Sequence, residues 1–311
     1  MKTFTHLDQI IEPFKNAVIT IGNFDGVHIG HQALFHEAIE KAEAIGGTSV
    51  AMTFEPHPLR VMKKNNHPPL ITLYEQKSEL IQRTGIDVLI CVPFTLEFAA
   101  LTPRQFVGGV LVNKIGMKAI VVGEDYSFGK NRAGDLDLLK SFGPEYGFEV
   151  TVAGWIKSAQ AKAERISSTK IRQMVMEGRM ERAEKMLGRN YQIRGKVVAG
   201  RDRGGKVLGI PTANINLHDE LCPKTGIYAV TVECEDRQHR GVANIGYSPT
   251  FDDHEFTVEV HILDFSDNIY DKKIRVNFIK RIRDEIKFSN ISELIDQINI
   301  DIEAARKILA S

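Results

Sequence analysis

The hydrophobic period of this chain changes near residue 188, and the change restricts what each half can become. Up to about residue 154, short apolar runs at 17–21, 49–54, 87–92, 119–122 and 148–152 have the length and character of strands. Between them, 31–45, 73–83, 103–115 and 135–146 carry the wider spacing of amphipathic helices. Strands that are apolar on both faces and alternate with helices predict a doubly wound parallel sheet covered on each side. Two further helices are expected at 167–177 and 180–187, with Gly178 and Gly188 as stops.

Beyond Gly188 the strand-length runs at 192–198, 227–233, 240–245, 257–263 and 273–282 are separated by Gly, Pro, Asn and Asp, with no helix between them. That pattern predicts a small antiparallel barrel or sandwich. Ile291, Leu294, Ile295, Ile298, Ile302, Ala305 and Leu309 follow a three-and-four spacing, so a helix over 291–309 should close the chain. The expected division is 1–187 and 188–311, and 43% hydrophobic residues in 311 suffice for two modest cores.

Forty basic residues balance forty acidic ones, which argues against an extended nucleic-acid surface and predicts no nucleic-acid partner. The balance is locally uneven: residues 157–206 hold fourteen Lys or Arg against five Asp or Glu. A solvated helical face accounts for this, and so would phosphorylated ligands on both sides of the segment. Cys91, Cys222 and Cys234 are too few and too scattered for a disulfide framework or a Cys-x-x-Cys metal site. No run approaches the roughly 20 apolar residues of a membrane span, and the first residues lack a secretory core, so a cytoplasmic location without membrane association is expected.

Residues 22–31 read Gly-Asn-Phe-Asp-Gly-Val-His-Ile-Gly-His, directly after the first long strand and opening a helix. Gly22 and Gly30 let backbone approach a ligand, and a helix N-terminus, with Asn23 in the turn before it, presents free N–H groups to phosphate. His28 and His31 add two donors that can stabilise charge building on a phosphoryl oxygen. A pair of turn histidines beside a helix cap is the plainer alternative. Downstream, Ile166-Ser167-Ser168-Thr169-Lys170-Ile171-Arg172 places the hydroxyls of Ser168 and Thr169 at a helix start. With Arg165 and Arg172 nearby these suit the β and γ phosphates of a nucleotide, although an ordinary N-cap with surface arginines would read the same way.

Together these strings resemble the HxGH and Ile-Ser-Ser-Thr-x-Ile-Arg signatures of the nucleotidylyltransferase superfamily. The resemblance implies that His28 and His31 assist attack on the α-phosphate of ATP with pyrophosphate leaving. His-Ile-Gly-His also occurs in class I aminoacyl-tRNA synthetases, but the Lys-Met-Ser-Lys-Ser-type loop of those enzymes is replaced here by Ile-Ser-Ser-Thr. Phe54-Glu55-Pro56-His57-Pro58 and Gly123-Glu124-Asp125-Tyr126-Ser127-Phe128-Gly129-Lys130 each follow a predicted strand, where open α/β sheets bind ligands. Phe54, Pro56, Pro58 and Phe128 offer a flat apolar wall, and Asp125 a partner for a ring N–H edge; rigid loops with core aromatics are the alternative. With residues 22–31, these strings resemble the FMN adenylyltransferase module of the prokaryotic bifunctional riboflavin kinase/FAD synthetase family.

The second half carries the same resemblance. Residues 200–214 form a glycine-rich basic loop, with Gly200, Gly204 and Lys206 suited to phosphates, that ends in Pro-Thr-Ala-Asn. The oxygens of Thr212 and Asn214 suit Mg²⁺, a hard ion, while a surface hairpin would have a similar composition. The loop resembles the riboflavin kinase signature, and Gly226-Ile227-Tyr228-Ala229-Val230, residues 241–251 and Val258-Glu259-Val260-His261 agree with it. The resemblance implies that Glu259 accepts the proton of the riboflavin 5′-hydroxyl and that Arg283 lies near the isoalloxazine. Strand alternation puts Glu259 and His261 on one face. Two departures are small: Lys170 stands where Arg is frequent, keeping charge but not bidentate geometry, and Asp271 stands where Gly is frequent, in a turn Asp can make with φ > 0.

The resemblance runs from about residue 15 to 308 and implies a Rossmann-like nucleotidylyltransferase domain followed by an antiparallel β-barrel with a C-terminal helix. It further implies ATP as co-substrate, Mg²⁺ as cofactor, and riboflavin, FMN and FAD as substrates and products. An enzyme with one vestigial domain and a flavin-binding regulator are the rival readings. The regulator would be expected to lack residues such as His28, His31, Thr212, Asn214 and Glu259, all of which are present.

Overall fold

The computed structural model describes residues 1–63, 67–154, 165–198, 210–215, 219–235, 237–247 and 256–310. The chain groups into two compact units, residues 1–168 and 169–311. The first is built on six strands, β1 (Lys2–Phe4), β2 (Ala17–Ile21), β3 (Thr48–Glu55), β4 (Val88–Pro93), β5 (Met117–Gly123) and β6 (Glu149–Ala153). All pairings are parallel and the order is β1-β4-β3-β2-β5-β6. The chain runs outward from β2 through β3 to β4, then returns to the other side of β2 for β5, which makes the β2/β5 boundary the topological switch point of the sheet. β1 was not foreseen, because three residues of which only Phe4 is buried leave no periodic signal.

Alternate residues of the central strands serve opposite layers, as the pleat requires. Val18, Ala119 and Val121 pack with Ala38 and Ala42 of α1 (Ile29–Ala44), and Ala51 and Leu89 with Phe35 and with Ile81 of α3 (Tyr74–Gln82), where α2 (Pro58–Lys63) precedes α3. On the other side Ile19, Ile21, Met52, Ile120 and Val122 meet Phe106 and Leu111 of a segment over Gln105–Ile115, and Leu139 and Phe142 of α5 (Leu136–Tyr146). A short helix α4 (Leu96–Ala99) lies between. The helix expected at 103–115 is π-helical over Gln105–Ile115; its consecutive Gly108 and Gly109 weaken the ordinary helical preference.

The second unit takes in α6 (Ser168–Met176) from its second residue, and α7 (Met180–Leu187), which Gly188 ends at φ +72° with its N–H on the Glu184 carbonyl. The periodicity sets a division at 187/188, whereas the packing groups both helices with the following strands: α7 buries Met180, Ala183, Met186 and Leu187 and packs on β7 (Tyr191–Val198) and β12 (Lys273–Arg283). With β8 (Ala213–Ile215), β9 (Gly226–Cys234), β10 (Arg237–Tyr247) and β11 (Phe256–Ile262), these form a closed antiparallel barrel in the order β10-β11-β8-β7-β12-β9. Barrel, not sandwich, is therefore the architecture, and the three-residue β8, which begins on the last two residues of Pro-Thr-Ala-Asn and ends at Ile215, is the link the sequence pattern missed. α8 (Ile291–Ile308), capped by the Asn290 side chain on the Glu293 N–H, packs on β9, β10 and β12. Asp271 takes φ +66°, the turn conformation expected of it. Among the described residues no helix is long and apolar enough to cross a membrane.

Candidate active sites

Three of the sequence strings emerge side by side. Residues 22–31 follow β2, residues 54–58 end β3 and residues 123–130 follow β5, so all three lie at the carboxyl ends of neighbouring parallel strands, at the switch point. The first of these loops is strained. Phe24 and Val27 adopt φ +47° and +41°, which side chains, and β-branched ones above all, rarely occupy. What holds it is Asp25, a buried carboxylate that accepts hydrogen bonds from the Ile71 N–H (3.0 Å), the Thr72 N–H (3.1 Å) and the Thr72 hydroxyl (3.3 Å). The Thr72 hydroxyl in turn accepts from the Gly26 N–H at 3.0 Å. Asp25 was read only as part of the string; its role depends on residues 46 and 47 positions away.

α1 starts at Ile29, two residues earlier than expected from the apolar period, because His28 caps it, its Nδ1 accepting from the His31 N–H at 3.2 Å. A neutral imidazole that accepts at Nδ1 carries its proton on Nε2, so the cap makes His28 Nε2 a donor. The two histidine rings stack at 3.5 Å between centroids, and His31 meets Phe24 edge-on at 5.3 Å. A Cβ on Gly30 would stand 3.2 Å from the His28 ring, so a side chain there would press the imidazole out of place. The arrangement is a pair of stacked imidazoles, with His28 Nε2 an oriented donor, at the positive end of a 16-residue helix.

Ser168 reaches the same loop: its hydroxyl donates to the Asp25 carbonyl at 2.8 Å, joining positions 143 residues apart in the chain. Thr169 and Arg172 follow it on α6, Arg172 buried. Arg165 and Asp125, expected to meet phosphate and flavin respectively, are brought together as an ion pair at 2.5 Å, both more than half exposed. Such exposed pairs are worth about 0–1 kcal/mol, so the guanidinium can exchange its carboxylate for another anion.

Aromatic contacts join the two strings, but of the residues expected to form an apolar wall Phe54, Pro56 and Pro58 keep exposure while Phe128, like Phe106, is buried in the sheet core, the core-aromatic alternative. Phe54 lies 5.6 Å from Phe94 and 5.9 Å from Phe98; Phe98 is followed by Phe106 at 6.0 Å, Phe128 at 6.2 Å from Phe106, and Tyr126 stacked on Phe128 at 5.5 Å. Phe94, Phe98 and Phe106 were not picked out, since in sequence they are indistinguishable from core aromatics. Pro56 is exposed and Pro58 opens α2.

In the barrel, Glu259 of β11 lies opposite Asn214 of β8 on one side and Asn244 of β10 on the other. Ala213, Ile215, Val258, Val260, Ala243 and Ile245 are buried, so Thr212, Asn214, Glu259 and Asn244 share the outward face. Burial pushes the Glu259 carboxyl above its ordinary value, partly offset by a hydrogen bond from the Asn244 side chain. His261, on the same face, donates from Nδ1 to the Pro211 carbonyl at 2.8 Å and steadies the Pro-Thr-Ala-Asn turn. Asn244 was not assigned a role from the sequence, because only the strand register sets it against Glu259.

Arg283 is occupied. Its guanidinium donates to both carboxylate oxygens of the buried Asp301 of α8, at 2.8 Å and 2.6 Å, and to the Asp284 carbonyl at 2.8 Å. Its in-plane donors are largely spent on protein, and what it can offer a flat ligand is the face of the group. Gly200, Gly204 and Lys206 lie outside the described residues.

Comparison with known proteins agrees with this division of labour. Residues 10–170 match the family model of FAD synthetase, and residues 187–309 that of riboflavin kinase. A bifunctional riboflavin kinase/FMN adenylyltransferase of Escherichia coli (strain K12) is 39% identical over 95% of this chain and 93% of its own length. Its counterpart in Buchnera aphidicola subsp. Schizaphis graminum is 36% identical over 99% and 98%. A crystal structure described as a macrolide-efflux protein from Streptococcus pneumoniae superposes with a TM-score of 0.87 at 33% identity, covering 98% of both chains. The chain belongs to the bifunctional riboflavin kinase/FMN adenylyltransferase family.

Proposed function

We propose that this chain makes FMN and ADP from riboflavin and ATP in its barrel, and FAD and pyrophosphate from FMN and a second ATP in its sheet domain. The observation that carries the reading is that each matched segment has its own reactive group: the stacked His28–His31 pair at the head of α1, and Glu259 between two asparagines on the barrel face. Two-step flavin cofactor synthesis needs both.

In adenylyl transfer an FMN phosphate oxygen attacks the α-phosphorus of ATP, the bond to the β-phosphate breaks, and pyrophosphate leaves with the charge. His28 through Nε2–H, with His31, stabilises the negative charge that builds on the α-phosphoryl oxygens. Gly22, Asn23 and Gly30 give the polyphosphate close access to backbone N–H groups, and Arg165, Ser168, Thr169 and Arg172 bind its β and γ oxygens. The isoalloxazine rests on Phe54, Pro56 and Pro58, backed by the buried Phe128, and Asp125, once Arg165 turns to phosphate, accepts from its N–H edge.

In the kinase step the riboflavin 5′-oxygen attacks the γ-phosphorus, its proton passes to Glu259, and ADP leaves. The raised basicity of Glu259 suits a group that must take a proton near neutrality. Gly200, Gly204 and Lys206 cradle the phosphates, and Arg283, its edge held by Asp301, stacks its face against the flavin. Among the described residues no three His, Cys, Asp or Glu side chains are grouped to hold a metal ion. The neutral oxygens of Thr212 and Asn214 fit an ion that arrives with nucleotide, as Mg²⁺ does, and its contribution in both steps would be to shield polyphosphate charge. A cytoplasmic setting, where ATP is abundant, follows from this chemistry.

The test is incubation of the purified protein with riboflavin, ATP and Mg²⁺ and separation of the flavins. FAD supports the reading; FMN alone would leave a kinase with a vestigial sheet domain, and unchanged riboflavin would leave a flavin binder.

A further inference from the structure

Among the described residues the mechanism leaves a buried lysine unused. Lys77 of α3 has a side chain only 5% exposed, rare for lysine, and its Nζ sits 3.4 Å from the Asn23 carbonyl, 3.4 Å from the Phe54 carbonyl and 3.9 Å from Glu55 Oε2. These acceptors lie at a seam. The β2–β3 ladder pairs residues as far as Ile21 with Met52, and the Gly22 N–H still reaches the Met52 carbonyl at 3.1 Å. Past that point the residue 22–31 loop departs toward the histidines, while β3 runs on, paired with β4 alone, through Phe54 to Glu55. The Thr53 hydroxyl, donating to the Asn23 carbonyl at 3.2 Å, and Lys77 bridge the gap.

An ammonium has three donors, and here two aim at carbonyls of different segments, one in the loop after β2 and one at the end of β3, while a carboxylate stands by the charge. Packing alone does not call for it, since a methionine would fill the space without the cost of desolvating a cation. Burial lowers the Lys77 pKa, with Glu55, Cys91 and Asp25 acting in the opposite sense. We infer that Lys77 is a positioning residue for adenylyl transfer: by clamping the Asn23 carbonyl to the Phe54 carbonyl it sets the separation between the phosphate-binding loop and the flavin-facing wall. The inference rests on the function proposed above. It also joins the two substrates in one prediction, because loosening a shared clamp must disturb both.

The experiment uses full-length protein and steady-state FAD synthesis from supplied FMN, with riboflavin phosphorylation as internal control and near-UV circular dichroism to establish folding. Lys77→Met should raise KM for both ATP and FMN and lower kcat/KM by about 10- to 100-fold, the scale of a small misplacement of reacting groups. Lys77→Arg, which keeps the charge and donors, should recover most of the loss, and the kinase should not change. If folded Lys77→Met has a lower thermal midpoint but wild-type kcat/KM below it, the residue is only structural and the inference is overturned. Should Lys77→Met not fold, Thr53→Val decides: isosteric and lacking only the other bridge, it must raise both KM values, and a wild-type profile overturns the clamp. Absence of FAD synthesis by the wild type would instead sink the functional reading, which keeps the two failures apart.

Discussion

Replacing Asp25 by alanine tests whether the strained phosphate loop is held from behind. The carboxylate satisfies the N–H groups of Ile71 and Thr72, both almost fully buried, and the Thr72 hydroxyl. An unsatisfied buried donor costs about 1–3 kcal/mol, so two backbone amides lose about 2–6 kcal/mol together. Water entering the space left by the carboxylate recovers part of this, and about 2–4 kcal/mol is the expected local loss. At about 1.4 kcal/mol per tenfold, exchange of the Ile71 and Thr72 amides should accelerate roughly 30- to 1,000-fold if they open locally. Phe24 and Val27, no longer compelled into left-handed backbone, should relax, and FAD synthesis should fall by about 10²-fold through misplacement of His28 and His31. Riboflavin phosphorylation should be untouched. The assay is amide exchange by mass spectrometry or NMR alongside both half-reactions. Wild-type protection at Ile71 and Thr72, with wild-type FAD synthesis, would show that the loop keeps its shape without the carboxylate and refute the argument.

Four further outcomes are expected. His28→Ala or His31→Ala should cut FAD formation by about 10²–10³ and spare the kinase, checked with FMN supplied directly; equal loss of both activities would point to unfolding. Glu259→Gln should lower riboflavin phosphorylation by about 10²–10⁴ with adenylylation near wild type. Because the carboxylate is the active form and burial raises its pKa, wild-type kinase kcat/KM should be flat at high pH and fall on acidification with an inflection above 4.5; a limb at or below that value would contradict the desolvated base. A fragment of residues 169–311 should fold and phosphorylate riboflavin, whereas 189–311, stripped of the buried Met180, Met186 and Leu187 of α7, should lose roughly 5 kcal/mol in urea unfolding or fail to fold.

Local features could be read along the chain. Apolar period distinguished the parallel-sheet half from the antiparallel half, since 3.6- and 2-residue repeats are written in consecutive residues. The loops carrying His28, His31, Phe54, Asp125, Thr212 and Asn214 were legible because glycines, prolines and helix starts signal them within a few positions. Only the tertiary structure decided what those residues meet. That β3, β2 and β5 are neighbours, that Asp25 finds Thr72, and that Phe98 and Phe106 connect Phe54 to Phe128 are contacts between distant stretches of chain. The same holds for Glu259, whose place between Asn214 and Asn244 is a matter of strand register, and for Arg283, whose edge is taken by Asp301. Barrel closure through β8, and the attachment of α7 to the barrel despite the change of period after it, belong here too. The physical reason is common to all of them: a side chain's type and local backbone are set by its neighbours in sequence. Its partners are set by which apolar faces must be buried together, a condition on the whole chain at once.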